Sequence, residues 1–531
     1  TVDARYGLYN VAGNINVYTK QGEDVRKLRL LGGSWGTVEP QALYGQRHGS
    51  FHHTYFLGYR SSEGFRTNSR ADRVAGSGKW FYEPNQRFKV GLIARGMKFD
   101  AKSPGFLDRP DAIARPRSAP AYALPDAGRQ WLGSVSGHLD YAITPSLSLQ
   151  AKLYVQRLYY ERNVSFDPSE QQTHRTEDEL HHGAIATLTY RARGRRAHDL
   201  ALEWGLDYQQ QLNEQRRFNA IARVAQGTPT RALDFTFGAA GSYLQASVRP
   251  VRPVKLVAAV RGDYLWGTLE NKLTDRKFGM SDYGVIWQPK LSASYAFYEG
   301  QLLYANYGRN YQVGTYNAAY RSPTGQSLDA SVNDGWEAGV RTSWAPWLTG
   351  RVAFWEQRAS KEIRTKPDMS GDSENIGKTR RYGFDLETSV QPLRWLSLWG
   401  AFSPVVAKQT APGAGDEERR GKYLNHVPWF NAKGGIDLRK FEGVLISLWC
   451  YGQGDYYLTK ENDGRRVGSY YSVNLDAHYQ VTSALDLGLS VQNLTNNEYY
   501  PAAWYKNYGS AGEQYSPAAP VSFYASATLT L

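Results

Sequence analysis

The chain has 531 residues, a formal net charge of +13 from 63 Lys and Arg against 50 Asp and Glu, and a mean hydropathy of −0.56 despite 14% aromatic residues. Its one cysteine, Cys450, excludes a disulfide framework and cysteine-based zinc sites, and no run reaches the 18 or more apolar residues of a membrane helix. A membrane barrel stays open, because its strands alternate lipid-facing apolar with lumen-facing polar residues and keep the mean hydropathy low.

In chain order, residues 1–24 form a short leading segment and residues 25–531 a continuous series of hairpins. Short turns are expected near Gly49-Ser50, Pro84-Asn85, Thr144-Pro145, Gly194-Arg196, Pro250-Pro253, Glu299-Gly300, Ala345-Trp347, Pro392-Arg394, Lys440-Gly443 and Thr482-Ala484. Between them the composition turns polar or Gly/Pro-rich over residues 36–40, 61–72, 101–130, 165–180, 212–235, 270–283, 314–331, 366–375, 409–426, 460–468 and 501–519. These turns and loops join about 22 strands. Short turns on one side and long loops on the other are the asymmetry of an outer-membrane barrel, with the turns periplasmic and the loops extracellular.

Alternation with period two is clearest near the end of the chain. Tyr471, Val473, Leu475, Ala477, Tyr479 and Val481 share one face, and Ser472, Asn474, Asp476, His478, Gln480 and Thr482 the other. Leu485, Leu487, Leu489 and Val491 repeat the pattern, as do Val521, Phe523, Ala525, Ala527, Leu529 and Leu531. Sandwich strands average about 5–6 residues. These run to roughly 9 or more, the length that crosses a bilayer at a tilt. Aromatics at Tyr470, Tyr471, Tyr499 and Tyr500 read as part of an interfacial girdle. The fold class is therefore all-β: a transmembrane antiparallel barrel.

Several segments, taken in order, resemble the TonB-dependent outer-membrane receptor family, and within it the siderophore-receptor branch. Tyr6-Gly-Leu-Tyr-Asn-Val-Ala-Gly13-Asn-Ile-Asn-Val-Tyr-Thr-Lys20 resembles the last strand of that family's plug domain. Glu63-Gly-Phe-Arg-Thr-Asn68 resembles its second extracellular loop. Ala258-Ala-Val-Arg261-Gly-Asp263-Tyr, Asn375-Ile-Gly377 with Tyr382-Gly-Phe-Asp-Leu-Glu387, and Val427-Pro428 are similar to its barrel signatures, and Val491-Gln-Asn493-Leu494-Thr-Asn-Asn-Glu-Tyr499 to its penultimate strand. The chain departs from the pattern in ending on Leu531, where the family usually has Phe or Trp. It also lacks nearly all of the plug and the N-terminal segment that contacts TonB. On this reading residues 1–24 are a plug remnant and linker, residues 25–531 are the barrel, and the chain is a fragment rather than a plugless pore.

The resemblance implies a Gram-negative outer-membrane location and binding of a scarce solute between plug apex and loops. It implies uptake driven by the TonB-ExbB-ExbD complex through the absent N-terminal region. No covalent catalysis and no resident cofactor or metal are expected; iron arrives inside its chelate as substrate. A ferric siderophore or similar anionic chelate is the expected partner, beside lipopolysaccharide and outer-membrane lipid, with no nucleic acid and a monomeric state. Basic residues gather near the outer side, including Arg216, Arg217, Arg223 and Arg231, Lys378, Arg380 and Arg381, and Arg465 and Arg466. Guanidinium groups suit carboxylate, catecholate or citrate oxygens because they donate paired hydrogen bonds in one plane. Strand parity turns Arg162 inward with Lys152, Tyr154 and Gln156, and Arg381 inward with Asp385 and Glu387. Arg162, Arg217 and Arg381 are thus candidate anion contacts; Tyr316, Tyr320, Trp504, Tyr505 and Tyr508 are candidate rings for a planar chelate. Arg261 and Asp263, with Asp385 and Glu387, are expected to form the lumen wall that faces the plug.

Other constellations carry less. His52-His53 and His181-His182 are neighbours on strands, so each pair points to opposite faces and makes no chelate. Arg309-Asn-Tyr-Gln-Val-Gly314 stands where the haem branch carries Phe-Arg-Ala-Pro, which disfavours haem. The alternatives are another solute of the same family (cobalamin, a different metal complex or an oligosaccharide) and, from a different class, a passive pore.

Overall fold

The computed structural model describes residues 3–8, 10, 11, 13–17, 19, 24–192, 199–314, 316–321, 328–345, 347–366, 373–413, 415–506 and 512–531, with 316, 317 and 365 described in their backbone alone. The expected turn at Gly194-Arg196 lies outside the described residues.

Strands pair antiparallel with their chain neighbours around a closed sheet of 22 strands. The short Arg276–Gly279 strand and Val285–Tyr298 both pair with Val254–Asn271 and count as one interrupted strand. Closure is direct: the first strand, Val25–Gly33, pairs with the last, Ser522–Thr530, from Lys27↔Thr530 to Gly33↔Tyr524. Closure thus leaves no open sheet edge at membrane depth, which a bilayer requires.

Parity sorts the faces. On Ser331–Ala345, Trp336, Val340 and Trp344 point outward, with Trp344 75% exposed, while Asn333 and Glu337 point into the lumen. Trp336 and Trp344 are eight residues apart, roughly 26 Å along the strand. Tilted by about 35–45°, that is a height of about 18–22 Å, most of the apolar band of about 25 Å that outer-membrane barrels present.

The loops depart from expectation in three places. The stretch 36–40 is strand from Thr37 onward, since Thr37–His48 pairs with the first strand up to Gly33↔Thr37. The stretch 212–235 is not a loop but the upper part of a hairpin between Ala201–Ile221 and Val224–Val251, paired nearly to its tip at Ile221↔Val224. Likewise 165–180 is mostly strand, since Gln172–Arg191 starts at Gln172. Above the lipid no face meets acyl chains, so the lipid-facing apolar stripe ends while the ladder continues. The aromatic reading also changes. Tyr471 is exposed on the outer wall, but Tyr470 turns inward and stacks on Tyr499 at 4.6 Å, and Tyr500 packs edge-on against Tyr515 at 5.0 Å.

Three extracellular loops fold together over one side of the mouth. Leu107–Asp108, Ala502–Lys506 and Gly512–Ser516 make a small sheet whose apolar core includes Leu107, Ala112, Tyr456, Leu458, Val467 and Tyr515. Buried polar locks fasten it. Arg66 donates to the carbonyls of Pro104, Gly105 and Ser118. Asp126 accepts from the Ser165 amide and the Gln172 side chain, and Lys506 meets Asp167 at 2.6 Å with both side chains almost fully buried.

Candidate ligand chamber and lumen wall

Four arginines line up in direct cross-strand register at the extracellular side of four adjacent strands. Arg162 on Leu147–Val164 opposes Arg175, Arg175 opposes Arg217, and Arg217 opposes Arg231. Parity turns all four into the lumen: Leu153 and Val155, Trp204 and Leu206, and Leu244 are exposed on the opposite face. At about 4.8 Å between strands, the row spans roughly 15 Å. The Phe166 ring lies beneath two of its members, 5.6 Å from the Arg162 guanidinium carbon and 5.2 Å from that of Arg175. Like charges set directly opposite one another are unfavourable. The first inward acid on these strands is Glu177, two residues below Arg175, where it accepts from the Gln215 amide at 3.0 Å.

Below the row, the same four strands wall a cavity of about 340 Å³ lined by Tyr154, His181, Gln209, Phe235 and Tyr320, with Leu8 of the leading segment as a further side. His181 bonds Glu179 at 2.9 Å. Tyr320 is buried edge-on against Phe235, and its hydroxyl donates to the Thr236 carbonyl at 2.7 Å. The ring is therefore a wall of the cavity and its hydroxyl is already engaged.

The remaining candidates separate. Arg381 points inward, but on a distant strand, where it grips Glu362 through two hydrogen bonds of 2.9 and 2.6 Å. Burial pushes the Glu362 carboxyl up, and its bonds to Arg381 and Thr379 outweigh that and hold it below the usual carboxylate range. Trp504 packs edge-on against Phe106 at 5.6 Å in the loop sheet, next to exposed Tyr505. That sheet meets the loop above the arginine row through Lys506 and Asp167, the latter adjacent to Phe166. The Tyr316 side chain and Tyr508 lie outside the described residues.

Deeper in the lumen, Arg261 is 3% exposed and bonds Asp263 and Asp207, each at 2.7 Å. Gln288 donates to Asp263 at 2.7 Å. The leading segment lies on this cluster. The Arg261 guanidinium reaches the Ala4 carbonyl at 3.4 Å, Leu8 bridges Tyr311 in parallel, and Gly7 comes so close that a Cβ there would sit 2.0 Å from an Asp263 carboxylate oxygen. Further along the segment, Gln357 donates to the Val11 carbonyl at 3.3 Å and Lys79 to the Thr19 hydroxyl. Asp385 and Glu387 also face inward, 3.8 and 3.2 Å from Arg351, which binds Glu337 at 2.7 Å as well.

Residues 58–494 match the family described as TonB dependent receptor-like, beta-barrel. The chain belongs to this family. The receptor is 24% identical over 588 residues to the metal-pseudopaline receptor CntO of Pseudomonas aeruginosa, covering 96% of this chain and 77% of that protein. Among solved structures, the ferric citrate transporter FecA in its unliganded form superposes with a TM-score of 0.88 at 15% identity, over 99% of this chain and 82% of FecA. The siderophore receptor PiuA from Acinetobacter baumannii gives 0.84 at 12% identity, over 99% and 84%. The receptor resides in the outer membrane of a Gram-negative bacterium.

Sequence reasoning missed Arg175 because it assigned that position to a loop, and with Arg175 it missed the row. It also missed Asp207 and Arg351, the partners that engage Arg261, Asp385 and Glu387. A register signal was present in each case, since all are inward by parity; what was lacking was the pairing between strands.

Proposed function

We propose that this receptor imports a metal bound in an anionic chelate, a ferric siderophore, into the periplasm by TonB-dependent transport. The row Arg162, Arg175, Arg217 and Arg231 carries the reading. Four guanidiniums held side by side repel one another, and a polyanion laid across them relieves that repulsion while accepting paired hydrogen bonds. A neutral oligosaccharide gains nothing comparable. The cavity below, with the Tyr154, Phe235 and Tyr320 rings, accommodates the less polar part of such a ligand. The Arg261 cluster beneath the leading segment fits a wall that holds a plug. A second reading keeps the chelate and changes the metal; the name of the metal-pseudopaline receptor supports it.

Binding of ferric chelates of matched size, anionic against neutral, tests the proposal directly. Anionic chelates are expected to bind, and Arg175→Gln or Arg217→Gln each to weaken them about 10–100-fold, since each hydrogen bond to a charged group contributes about 1.5–3 kcal/mol. Equal binding of neutral chelates would remove the anionic reading. Uptake of one chelator loaded with Fe(III), Ni(II), Cu(II) or Zn(II) decides between the two readings, and uptake that survives a protonophore would indicate a passive pore.

A further inference from the structure

We infer that the lumen holds a second anion-binding subsite, deeper than the arginine row at the mouth, where Lys79, Arg95 and Lys152 surround Ser134, Ser136 and His138. The inference rests on the reading above, that the solute is an anionic chelate, and gives that solute a station on its way down. The subsite lies on four adjacent strands, Ala71–Asn85, Phe88–Lys102, Ala127–Ala142 and Leu147–Val164. Val74, Leu92, Val135 and Leu153 are exposed on their outer face, so residues of the opposite parity point into the lumen. In register, Lys79 opposes Ile93, Ile93 opposes Ser136, and Ser136 opposes Tyr154. Arg95 stands two residues above Ile93, opposite Ser134, and Lys152 stands two below Tyr154, opposite His138. The Ser136 hydroxyl and His138 Nε2 lie 2.9 Å apart between them.

The charge of this wall is one-sided. Its inward cations are Arg73, Lys79, Lys89, Arg95, Lys152 and Arg162, against two inward acids, Glu83 and Asp140, both close to the periplasmic turns. Asp140 already accepts from Gln150 at 2.8 Å. Neither Arg95 nor Lys152 forms an ion pair among the described residues, and Arg95 repels both Lys79 and Lys152. Eleven strands further round the sheet the opposite wall is balanced: Leu348–Ala359, Gly377–Leu393, Leu396–Pro412 and Phe430–Leu438 set inward Arg351, Arg381 and Lys433 against Asp385, Glu387 and Asp437. The Arg261 cluster shows how a wall cation is arranged where it holds a fixed segment: Asp263 and Asp207 neutralise it, and the Ala4 carbonyl and Gly7 lie on it. Arg95 and Lys152 have no such acids beside them.

The subsite is continuous with the cavity below the mouth. Lys152 lies 5.5 Å from the centre of the Tyr154 ring, one wall of that cavity, and Arg95 shares a register row with Ser134, Gln156 and His181, another of its walls. Lys152 is ten residues below Arg162 on the same strand, roughly 33 Å along it and about 23–27 Å deeper at a tilt of about 35–45°. Lys79 donates to the Thr19 hydroxyl, so the leading segment reaches the subsite. Low-dielectric walls focus the field of such a cluster and raise the local concentration of anions. Passage requires binding favourable enough to enter and weak enough to leave, over more than one site. The four guanidiniums of the mouth serve capture; three spaced cations beneath them, with serine hydroxyls between, draw the same anion onward.

Surface binding and energised uptake, both measured on cells carrying the full-length receptor, separate the subsite from the mouth; the probes are ferric citrate and the other anionic chelates of the matched series. R95Q/K152Q is expected to keep the affinity within about twofold and to lower the maximal uptake rate about tenfold. R95K/K152R is expected to restore most of that rate, and K433Q, on the opposite wall, to change neither quantity. An unaltered rate would overturn the subsite. So would a matching loss of affinity, which would assign both cations to the mouth, or a new sensitivity to vancomycin, which would show that they clamp the plug. If the double variant fails to reach the membrane, R95Q and K152Q alone are read in the same way, each with a loss of about threefold. Failure of every anionic chelate to bind the parent would instead remove the function proposed above, and this inference with it.

Discussion

At the residue scale, the least forgiving contacts are charges held out of water. Lys506 and Asp167 are 2% and 1% exposed and join two extracellular loops. Removing one partner of such a pair strands the other, at a cost of about 3–5 kcal/mol. Lys506→Met is therefore expected to release the loop sheet, read as faster hydrogen exchange over Ala502–Lys506 and Gly512–Ser516, while the barrel keeps its heat-modifiable mobility; unchanged exchange would mean that the apolar core alone holds the loops. Glu362 gives a pH prediction. Its folded carboxyl titrates below its ordinary value of 4.5, so the stability it contributes is present above that value and is lost as pH falls through the folded pKa. Exchange over Ile363–Thr365 is expected to accelerate under acid, and Arg381→Gln to abolish most of that pH dependence. Parity alone had turned Arg381 toward the lumen correctly, but its engagement by Glu362, nineteen residues earlier, depends on how the intervening loop folds back.

At the element scale, strands were legible in the sequence wherever lipid faced one side and water the other. Tyr471 to Val481 and Leu485 to Val491 alternate because burial in lipid enforces it. The hairpin above the membrane was illegible for the same reason: Gln211 to Phe235 rises above the lipid, so no lipid-facing apolar stripe is selected, and its apolar residues Leu233 and Phe235 pack inside the mouth instead. Hydrogen exchange separates the two descriptions. The amides across Asn213–Arg217 and Leu233–Phe235, each stretch paired with a strand on both sides, are expected to exchange slowly, as members of a ladder; exchange within seconds would restore the loop and dissolve the arginine row with it. The leading segment offers a steric test. Gly7→Leu places atoms where Asp263 and Arg261 already are, and is expected to raise exchange at the amides of Ala4 to Leu8 without disturbing the strands.

At the scale of the whole molecule, strand count and sidedness followed from the alternation of short turns with long loops, while the assembly of the mouth did not, because it rests on contacts between loops far apart in sequence, such as Arg66 with Ser118 and Asp167 with Lys506. The position of the bilayer is testable. Val340 lies midway between Trp336 and Trp344 on the outward face. Val340→Arg is expected to destabilise the barrel by about 2–4 kcal/mol in urea titrations in thin bilayers; a neutral result would move the membrane along the strand. The leading segment, finally, touches the wall at Ala4, Gly7–Leu8, Val11 and Thr19, through partners on well-separated strands. Attachments spaced along a thread do not share a load. Tension applied at one end breaks them singly and in order, so the segment peels away at a force set by its strongest single contact and not by their sum, and the barrel wall need not deform to let it go.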